Sequence, residues 1–376
     1  MIKLSQPQIP ESAISRVGDI LRSGQLIHGE ECIAFENELA KYLDVKHALV
    51  VSNGTAALHL ALLSLNIGQG DAVIVPDFTF AATANIVEIT GAKAVIVDVE
   101  ETSYNLDPVK LEECILNWNG PEKLKAIMPV LEFGNPTNLI RYREIADKYN
   151  LAMIEDAACA LGARDGSKMV GTVGDFGCFS FHPRKTLTTG EGGALVTNNT
   201  ELYQKAALLR NHGMERSENG IEFKCIGLNY RLTNFQAAIG RSILPSLNGW
   251  IDCRRQLAEL YINHLNELEK LGIIKLPRFC SGHSLQSFMI ILHPSFERNF
   301  IINSLRKDGI ETNLGAQSMT ALDLFTNPEN HILNSYHGNN LYKHGLVLPL
   351  HEGLNKQDIE FVCSKLIKLT KELYNV

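Results

Sequence analysis

The chain has 376 residues, 45% of them hydrophobic, which is enough apolar side chain for a large buried core in two domains or in one domain with a small addition. Its formal net charge of −7 and isoelectric point near 6.0 argue against nucleic acid or an anionic membrane as the main partner, since neither is attracted to an acidic surface. The first residues lack the apolar core of a signal peptide, and no apolar run approaches the roughly 20 residues that a membrane span requires.

The cysteines carry information about the cellular compartment. The eight cysteines are scattered along the chain and form no C-x-x-C pair. This spacing indicates neither a zinc site nor a disulfide framework. We therefore expect a soluble protein of the reducing cytoplasm, with no bound metal.

Short β-rich runs recur through the first half of the chain, separated by segments with helical spacing. They predict strands at residues 47–51, 71–76, 93–99, 124–130, 151–156, 176–181 and 193–197. Several of these runs are apolar almost throughout, as strands covered on both faces are. The alternation predicts an α/β fold with a seven-stranded, mainly parallel sheet.

The gaps between these runs carry helix signals. Asp107 and Pro108 provide a capping side chain and a pre-set φ ahead of one helix, and residues 139–150 have apolar side chains at helical spacing. After about residue 245 the pattern changes to a long amphipathic segment, an apolar run and a closing helix. The sequence therefore predicts a large α/β domain at 1–245 and a smaller C-terminal α+β domain at 246–376.

A lysine stands in an unusual setting, FHPRKTLTTGEGG at residues 181–193. Most lysines of a soluble chain are solvated surface charges, and Lys185 alone would be read so. Two further stretches change that interpretation.

The first stretch is SNGTAALHLAL, residues 52–62, which directly follows a predicted strand. A glycine in a strand-to-helix turn exposes unpaired N–H groups at the helix start, a natural seat for a phosphate. The same residues also fit an ordinary turn with an N-cap, so both interpretations stay open.

The second stretch is IEDAACALGA, residues 154–163, where an apolar strand ends in Glu155 and Asp156. Carboxyl ends of parallel strands face the ligand crevice of an open α/β sheet, so a carboxylate there can meet a cationic ring nitrogen. Alternatively, one of these acids caps the next helix. The two roles are compatible if each acid takes one.

Together, these features match the needs of pyridoxal phosphate (PLP). The cofactor needs a lysine amine for a Schiff base, a carboxylate opposite its ring nitrogen and an anion seat for its phosphate. Lys185, Asp156 and the turn at Gly54 supply these three elements in the chain. Ser180 adds a hydroxyl close to the lysine, and the glycines after it allow tight turns beside a flat ring.

At this point the chain resembles a known family, the DegT/DnrJ/EryC1/StrS PLP-dependent sugar aminotransferases of fold type I. The resemblance extends from residue 23 through the C-terminal region. The motifs that carry it are, in order, SNGTAALHLAL, PDFTFAATAN, EDAACALGA, SFHPRKTLTTGEGG and GLNYRLTNFQAAI.

The resemblance implies a role for each matching residue. Lys185 would form the Schiff base and later move a proton between substrate carbon and cofactor, and Asp156 would pair with the ring nitrogen. Phe80 would stack on the ring, and Arg231 would meet substrate. The phosphate would be held by Gly54, Thr55, Ala56 and Ser180. Asn229 would reach the phosphate in the partner subunit's site, which implies a homodimer.

Two positions depart from the family pattern. Cys159 stands where the family usually has a glutamine near the ring hydroxyl, and a thiol is a poorer hydrogen-bond partner. Leu131 and Glu132 stand where many relatives have a histidine-containing motif, near the expected substrate contacts. We also expect burial near the cationic cofactor to lower the pKa of Lys185.

The implied function is amino transfer from L-glutamate to a keto group of a nucleotide-linked deoxysugar, at C4 or at C3, for surface-polysaccharide or glycoside biosynthesis. A sugar dehydratase on the same scaffold is disfavoured, because such enzymes carry histidine in place of the lysine. A non-catalytic regulator that binds PLP or a sugar nucleotide is disfavoured by the retained catalytic positions.

Overall fold

A computed structural model describes residues 1–218, 220–325 and 335–374. In these ranges the helices are α1 Glu11–Ser23, α2 Glu30–Leu43, α3 Gly54–Ser64, α4 Ala82–Ile89, α5 Pro108–Leu116, α6 Leu139–Lys148, α7 Thr200–Arg210, α8 Asn234–Ile243, α9 Leu247–Lys270, α10 Arg298–Lys307, α11 His337–His344 and α12 Lys356–Tyr374. The strands are β1 His47–Val51, β2 Asp71–Pro76, β3 Phe78–Thr79, β4 Lys93–Val97, β5 Lys123–Ile127, β6 Ala152–Asp156, β7 Arg164–Asp165, β8 Lys168–Met169, β9 Phe176–Ser180, β10 Gly193–Thr197, β11 Met214–Ser217, β12 Gly220–Phe223, β13 Ile274–Lys275, β14 Phe288–Leu292, β15 Gln317–Ser318 and β16 Gly345–Leu348.

Each of the seven predicted strands is present in one sheet, in the order β1-β10-β9-β6-β5-β2-β4. Strand β10 is antiparallel to both of its neighbours, and the other adjacent pairs are parallel. The predicted mainly parallel α/β sheet is therefore confirmed. Strands β1, β2 and β10 have the predicted bounds. The other four differ by one to three residues at an end, as at β4, which ends at Val97.

Both faces of this sheet are covered, because the strands are apolar on both sides. Val50 of β1 packs in one core with helices α2 and α6, whereas its neighbours Leu49 and Val51 pack in the other with α3 and α4. Alternating side chains of one strand thus contribute to two cores. The predicted cap also forms: the Asp107 side chain accepts hydrogen bonds from the amides of Val109 and Lys110.

A third core belongs to the C-terminal part of the chain. It is built from the second half of α9, the antiparallel sheet β13-β14-β16, α10 and α12. Helix α9 joins the cores, since Ile251 packs against the large sheet and Leu257 against the small one. The N-terminus also reaches this part, where Ile2 forms a β-bridge with Ile310. The division into domains at 1–245 and 246–376 stays a prediction.

Two further observations concern the described ranges. All eight cysteines lie within them and are free thiols. No helix there is long and apolar enough to cross a bilayer, and no group of three or more His, Cys, Asp or Glu side chains could hold a metal ion.

A buried ion pair ties α9 to the C-terminal segment. The Arg254 guanidinium donates to the Glu352 carboxylate at 3.0 Å and to the carbonyl oxygens of Gln286 and Leu350 at 3.1 Å each. The two charged side chains are only 2% and 6% exposed. Each of these two charges is stabilised by the other, because water does not reach either side chain.

We expect Arg254→Met to lower the free energy of unfolding by about 3–5 kcal/mol, since it leaves the Glu352 carboxylate buried and unpaired. The double variant Arg254→Met/Glu352→Leu should recover most of this loss. Urea unfolding followed by circular dichroism measures both. An equal loss in the single and double variants would contradict the explanation.

Candidate active site

Lys185 lies in the turn that follows β9. Its amide donates to the carbonyl oxygen of His182 at 2.8 Å, which closes the turn. Its side chain is part-buried, and the amine Nζ donates a hydrogen bond to Sγ of Cys159 at 2.9 Å. Two residues of the predicted site are thus in direct contact, although they are 26 positions apart.

Asp156 is the last residue of β6, the strand beside β9. Its carboxylate is buried and accepts hydrogen bonds from the Thr83 hydroxyl at 2.9 Å and the Ala158 amide at 3.2 Å. Burial raises the pKa of Asp156, and the positive charge of Lys185 opposes this rise. Asp156 therefore lies close enough to Lys185 to act on it electrostatically.

Glu155 has a different task. Its carboxylate accepts hydrogen bonds from the amides of Gly171, Val173 and Gly174 at 2.5, 2.8 and 2.6 Å. It holds the turn that leads into β9. The two acids at the end of β6 therefore divide their roles: Glu155 fixes the backbone, and Asp156 faces the lysine while also binding the next turn.

The turn before α3 meets the end of β9. A Cβ atom added to Gly54 would lie 2.9 Å from Cβ of Ser180, so these two predicted residues are packed together. The Asn53 side chain caps α3 by accepting from the Ala56 amide at 2.8 Å, which occupies one amide expected for the phosphate. In the described structure, the amides of Gly54 and Thr55 donate to no protein group. The N-cap interpretation is therefore confirmed, and because two amides stay free for an anion, phosphate binding at this turn stays a prediction.

Phe80 follows β3 and precedes α4. Its side chain is 67% exposed, unusually high for a phenylalanine, while its carbonyl oxygen accepts from the Thr83 amide at 3.1 Å. Since Thr83 also binds Asp156, the aromatic ring lies on the segment next to the buried acid. Its stacking on the cofactor ring stays a prediction.

Asn229 and Arg231 lie on a segment that runs beside the end of β1. Arg231 forms a β-bridge with Val51, and the carbonyl oxygen of Tyr230 accepts from the Ser52 amide at 2.9 Å. Arg231 also donates to Oδ1 of Asn211 at 2.7 Å. The segment therefore borders the Gly54 turn of its own chain. Asn229 is exposed, and its contact with a partner subunit stays a prediction.

Sequence reasoning assigned no role to Glu132, which the structure places in the same site. Its side chain is 5% exposed, and burial raises its pKa to about 7 despite the opposing charge of Lys185. Glu132 stands five residues after the end of β5, in a largely apolar stretch. An acid that follows the carboxyl end of a parallel strand was the available signal, because such ends border the ligand crevice.

The charges around Lys185 reverse one expectation. Burial lowers the pKa of its amine, as predicted, but Cys159, Glu132 and Asp156 together raise it above the usual value. Burial also raises the pKa of the Cys159 thiol. The protein groups by themselves therefore favour the protonated amine, because an acidic cluster surrounds it.

A C-terminal segment closes one side of the site. The Gln286 side chain donates to the carbonyl oxygen of Arg184 at 2.8 Å, and its amide donates to the carbonyl oxygen of Phe133 at 2.9 Å. The Ser284 amide donates to the carbonyl oxygen of Gly134 at 3.0 Å. The sequence did not reveal this wall, because its contacts join segments more than 100 residues apart.

The residues present fit PLP. Gly54 approaches Ser180 so closely that a larger residue would fill the turn, and free amides at the start of a helix suit a phosphate. A carboxylate and an amine lie together at the neighbouring strand ends, as a pyridine ring and its aldehyde require.

Comparison with known proteins agrees with this chemistry. The model of the DegT/DnrJ/EryC1/StrS aminotransferase family matches residues 7–367, so the chain belongs to this family. It is a PLP-dependent aminotransferase of fold type I.

Two curated relatives illustrate the family. The UDP-4-amino-4,6-dideoxy-N-acetyl-beta-L-altrosamine transaminase of Campylobacter jejuni subsp. jejuni serotype O:23/36 is 32% identical, over 99% of this chain and 98% of its own. The UDP-N-acetyl-3-dehydro-alpha-D-glucosamine 3-aminotransferase of Acidithiobacillus ferrooxidans is 38% identical, over 80% of this chain and 78% of its own.

A solved structure, that of NtdA from Bacillus subtilis with bound cofactor PMP, is also similar. It is 30% identical in sequence with a TM-score of 0.86, and the match covers 96% of this chain and 82% of the other. PMP is the amino form of PLP, the form that carries the amino group between two substrates.

We expect Gly54→Ala to weaken cofactor binding about tenfold or more, because its Cβ would meet Ser180 at 2.9 Å and displace the phosphate turn. Titration of the colourless protein with PLP, followed by absorbance, measures the affinity. Gly249→Ala is the control, since a Cβ there meets nothing within 4 Å in helix α9. Unchanged affinity in Gly54→Ala would contradict the assignment.

Proposed function

We propose that this enzyme moves the amino group of L-glutamate to the C4 keto group of a nucleotide-linked deoxysugar used in surface-polysaccharide or glycoside biosynthesis. The observation that carries the proposal is the contact of Lys185 with Cys159 near the buried Asp156, with the Gly54 turn packed against Ser180, five residues before the lysine. Both curated relatives described above are named as transferring amino groups on UDP-linked sugars, which supports the sugar nucleotide as substrate.

The protein groups have separable tasks in this reaction. The cofactor supplies an aldehyde and an electron-withdrawing ring. Lys185 would provide the amine for this aldehyde and would hold and return the proton of the substrate carbon at its Nζ. Asp156, whose carboxylate is held by Thr83, would pair with the ring nitrogen. The amides of Gly54 and Thr55 would hold the phosphate end.

The position of amination has two candidates. One relative's name prints a 4-amino sugar, whereas the other's prints a 3-aminotransferase. C4 is the proposed position, and amination at C3 is the second candidate. Keto sugars that differ only in the position of the carbonyl separate the two.

We expect Lys185→Ala to lose the yellow colour that glutamate bleaches, and to lose transamination by at least about 10³-fold, since the proton carrier is removed. Release of 2-oxoglutarate, with a panel of 4-keto and 3-keto sugar nucleotides and NMR of the products, provides the measurement. Lys46→Ala, at an exposed lysine, is the control. A borohydride-reduced adduct mapped to another lysine would sink the proposal.

The active unit is proposed to be a homodimer with shared sites. Three apolar side chains in the segment that precedes Asn229 in sequence are strongly exposed: Ile221 at 55%, Phe223 at 70% and Ile226 at 97%. Exposed apolar side chains of this kind support burial against a second copy of the chain. The cytoplasm is the proposed location, since reducing conditions keep thiols free and all eight cysteines are unpaired.

Shared sites predict complementation between two defective variants. We expect Asn229→Ala to lose about tenfold or more of its activity, through poorer orientation of the phosphate. Refolding an equal mixture of Asn229→Ala and Lys185→Ala subunits should recover about a quarter of wild-type activity, because half of the dimers are mixed and each has one intact site. Activity that stays at the average of the two separate variants would show that Asn229 serves its own subunit or none.

A further inference from the structure

One contact of the site joins two nucleophiles. Nζ of Lys185 lies 2.9 Å from Sγ of Cys159. By comparison, the hydrogen bond that Sγ of Cys32 donates to the carbonyl oxygen of Leu232 measures 3.4 Å. The proposed function uses the amine and leaves the thiol without a task. An amine in contact with a thiol can react with it once the sulfur is oxidised, because oxidation makes the sulfur an electrophile.

The backbone holds the sulfur in place. The Ala160 amide donates to the carbonyl oxygen of Ala157 at 2.9 Å, which closes a turn around Cys159. Beside this turn the chain is strained at Phe133 and Gly134, where φ is +54° and +90°. A Cβ added to Gly134 would lie 3.0 Å from the carbonyl oxygen of Cys159, so the two segments are tightly packed. Such strain persists only where the surroundings enforce it, which indicates that the position of Cys159 is fixed.

The amine can move to the sulfur. The amide of Lys185 is fixed by its hydrogen bond to the carbonyl oxygen of His182, whereas the side chain is an unbranched, flexible four-carbon stem. Rotation about the bonds of this stem can close the remaining gap between Nζ and Sγ. A fixed sulfur and a tethered amine react as parts of one molecule, which raises their effective concentration far above that of any free amine.

The thiol is also accessible to small molecules. Cys159 has intermediate exposure, whereas four of the other cysteines are buried. A part-exposed thiol beside a lysine has the surroundings in which cysteines react. Burial nevertheless raises the pKa of the Cys159 thiol, and the charge of Lys185 opposes this rise. Oxidation of this thiol is therefore slow and needs an excess of oxidant.

We propose that Cys159 and Lys185 are a modification site: they form a reversible covalent cross-link, a sulfenamide, when hydrogen peroxide oxidises the thiol while the amine is free. In the first step the O–O bond of the peroxide breaks, the sulfur is oxidised to a sulfenic acid, and the peroxide is reduced to water. In the second step the lone pair of Nζ attacks the sulfur and an S–N bond forms. The S–O bond breaks, and hydroxide leaves with a proton from the nitrogen as a second water.

Added thiols reverse this reaction in two steps. The first thiol attacks the sulfur of Cys159, breaks the S–N bond and returns the amine of Lys185 with a proton. The mixed disulfide that results is reduced by a second thiol, which restores the Cys159 thiol. The modification therefore removes the reactive amine without destroying it.

The cross-link forms at only one stage of catalysis. This step rests on the proposed function, in which Lys185 is bound to the cofactor aldehyde until glutamate frees it. A bound nitrogen cannot attack the sulfur, so the resting enzyme is protected. After reaction with glutamate, the free amine lies beside Cys159. Peroxide therefore blocks the enzyme between the two halves of amino transfer.

The test compares three samples of the purified protein: untreated, treated with excess glutamate, and desalted after hydroxylamine, which releases a lysine from a Schiff base without an amino donor. Each sample receives hydrogen peroxide. Peptide mapping without reductant detects the Cys159 peptide joined to the Lys185 peptide, lighter than the two separate peptides by one H₂. The joined peptide should be about tenfold more abundant after glutamate or hydroxylamine than in the untreated sample, because the bound amine cannot react. Dithiothreitol should remove it.

Two cysteine variants provide the comparison. Cys159→Ser should give no joined peptide, and dithiothreitol should restore none of the transamination that it loses to peroxide. Cys253→Ser removes the other thiol of intermediate exposure, which lies in α9. Its yield of joined peptide should stay within about twofold of wild type.

The outcomes separate this proposal from the proposed function. A folded protein that gives no joined peptide in either treated sample overturns the cross-link, as does a disulfide of Cys159 with another cysteine as the main product. Equal amounts in all three samples support the cross-link and contradict the proposed function, because the amine was never bound. A joined peptide after hydroxylamine but not after glutamate supports the cross-link and overturns glutamate as the amino donor.

Discussion

A lysine amine surrounded by acidic groups is the interaction on which the site depends. The Lys185 side chain is part-buried, and burial by itself favours loss of the proton from its amine. Cys159, Glu132 and Asp156 more than offset this effect and raise its pKa. The protein groups thereby favour the charged form of the amine, and the contact with Cys159 fixes it in place. The amine must lose its proton before it can act as a nucleophile.

The sheet creates this cluster through two of its simplest properties. Neighbouring parallel strands end at the same edge, which brings Asp156 of β6 beside the loop that follows β9. Successive side chains of a strand point to opposite faces, so Glu155 fixes the turn at 171–174 while Asp156 faces the lysine. One dipeptide thus provides both the rigidity of the site and part of its charge.

The C-terminal part of the chain completes the site from the other side. Helix α9 anchors the segment at 283–286 twice, through Arg254 to the carbonyl oxygen of Gln286 and through Arg255 to that of His283. This segment binds the strained turn at Phe133 and the backbone of Arg184. We therefore expect substitutions at Arg254 or Arg255 to affect the surroundings of the lysine, although no residue of α9 belongs to the predicted site.

The sequence by itself determined the seven strands and the helices between them, and it predicted a PLP site at Lys185, Asp156 and Gly54, because apolar periodicity, caps and short motifs are local properties of the chain. It left open which acid of the Glu155–Asp156 pair fixes the backbone, and it did not place Glu132 beside these residues. Only the tertiary structure decided these points, together with the 2.9 Å contact between Lys185 and Cys159 and the wall at Gln286. The physical reason is that a pKa depends on burial and on charges near in space, and these come from segments that the fold brings together from distant parts of the sequence.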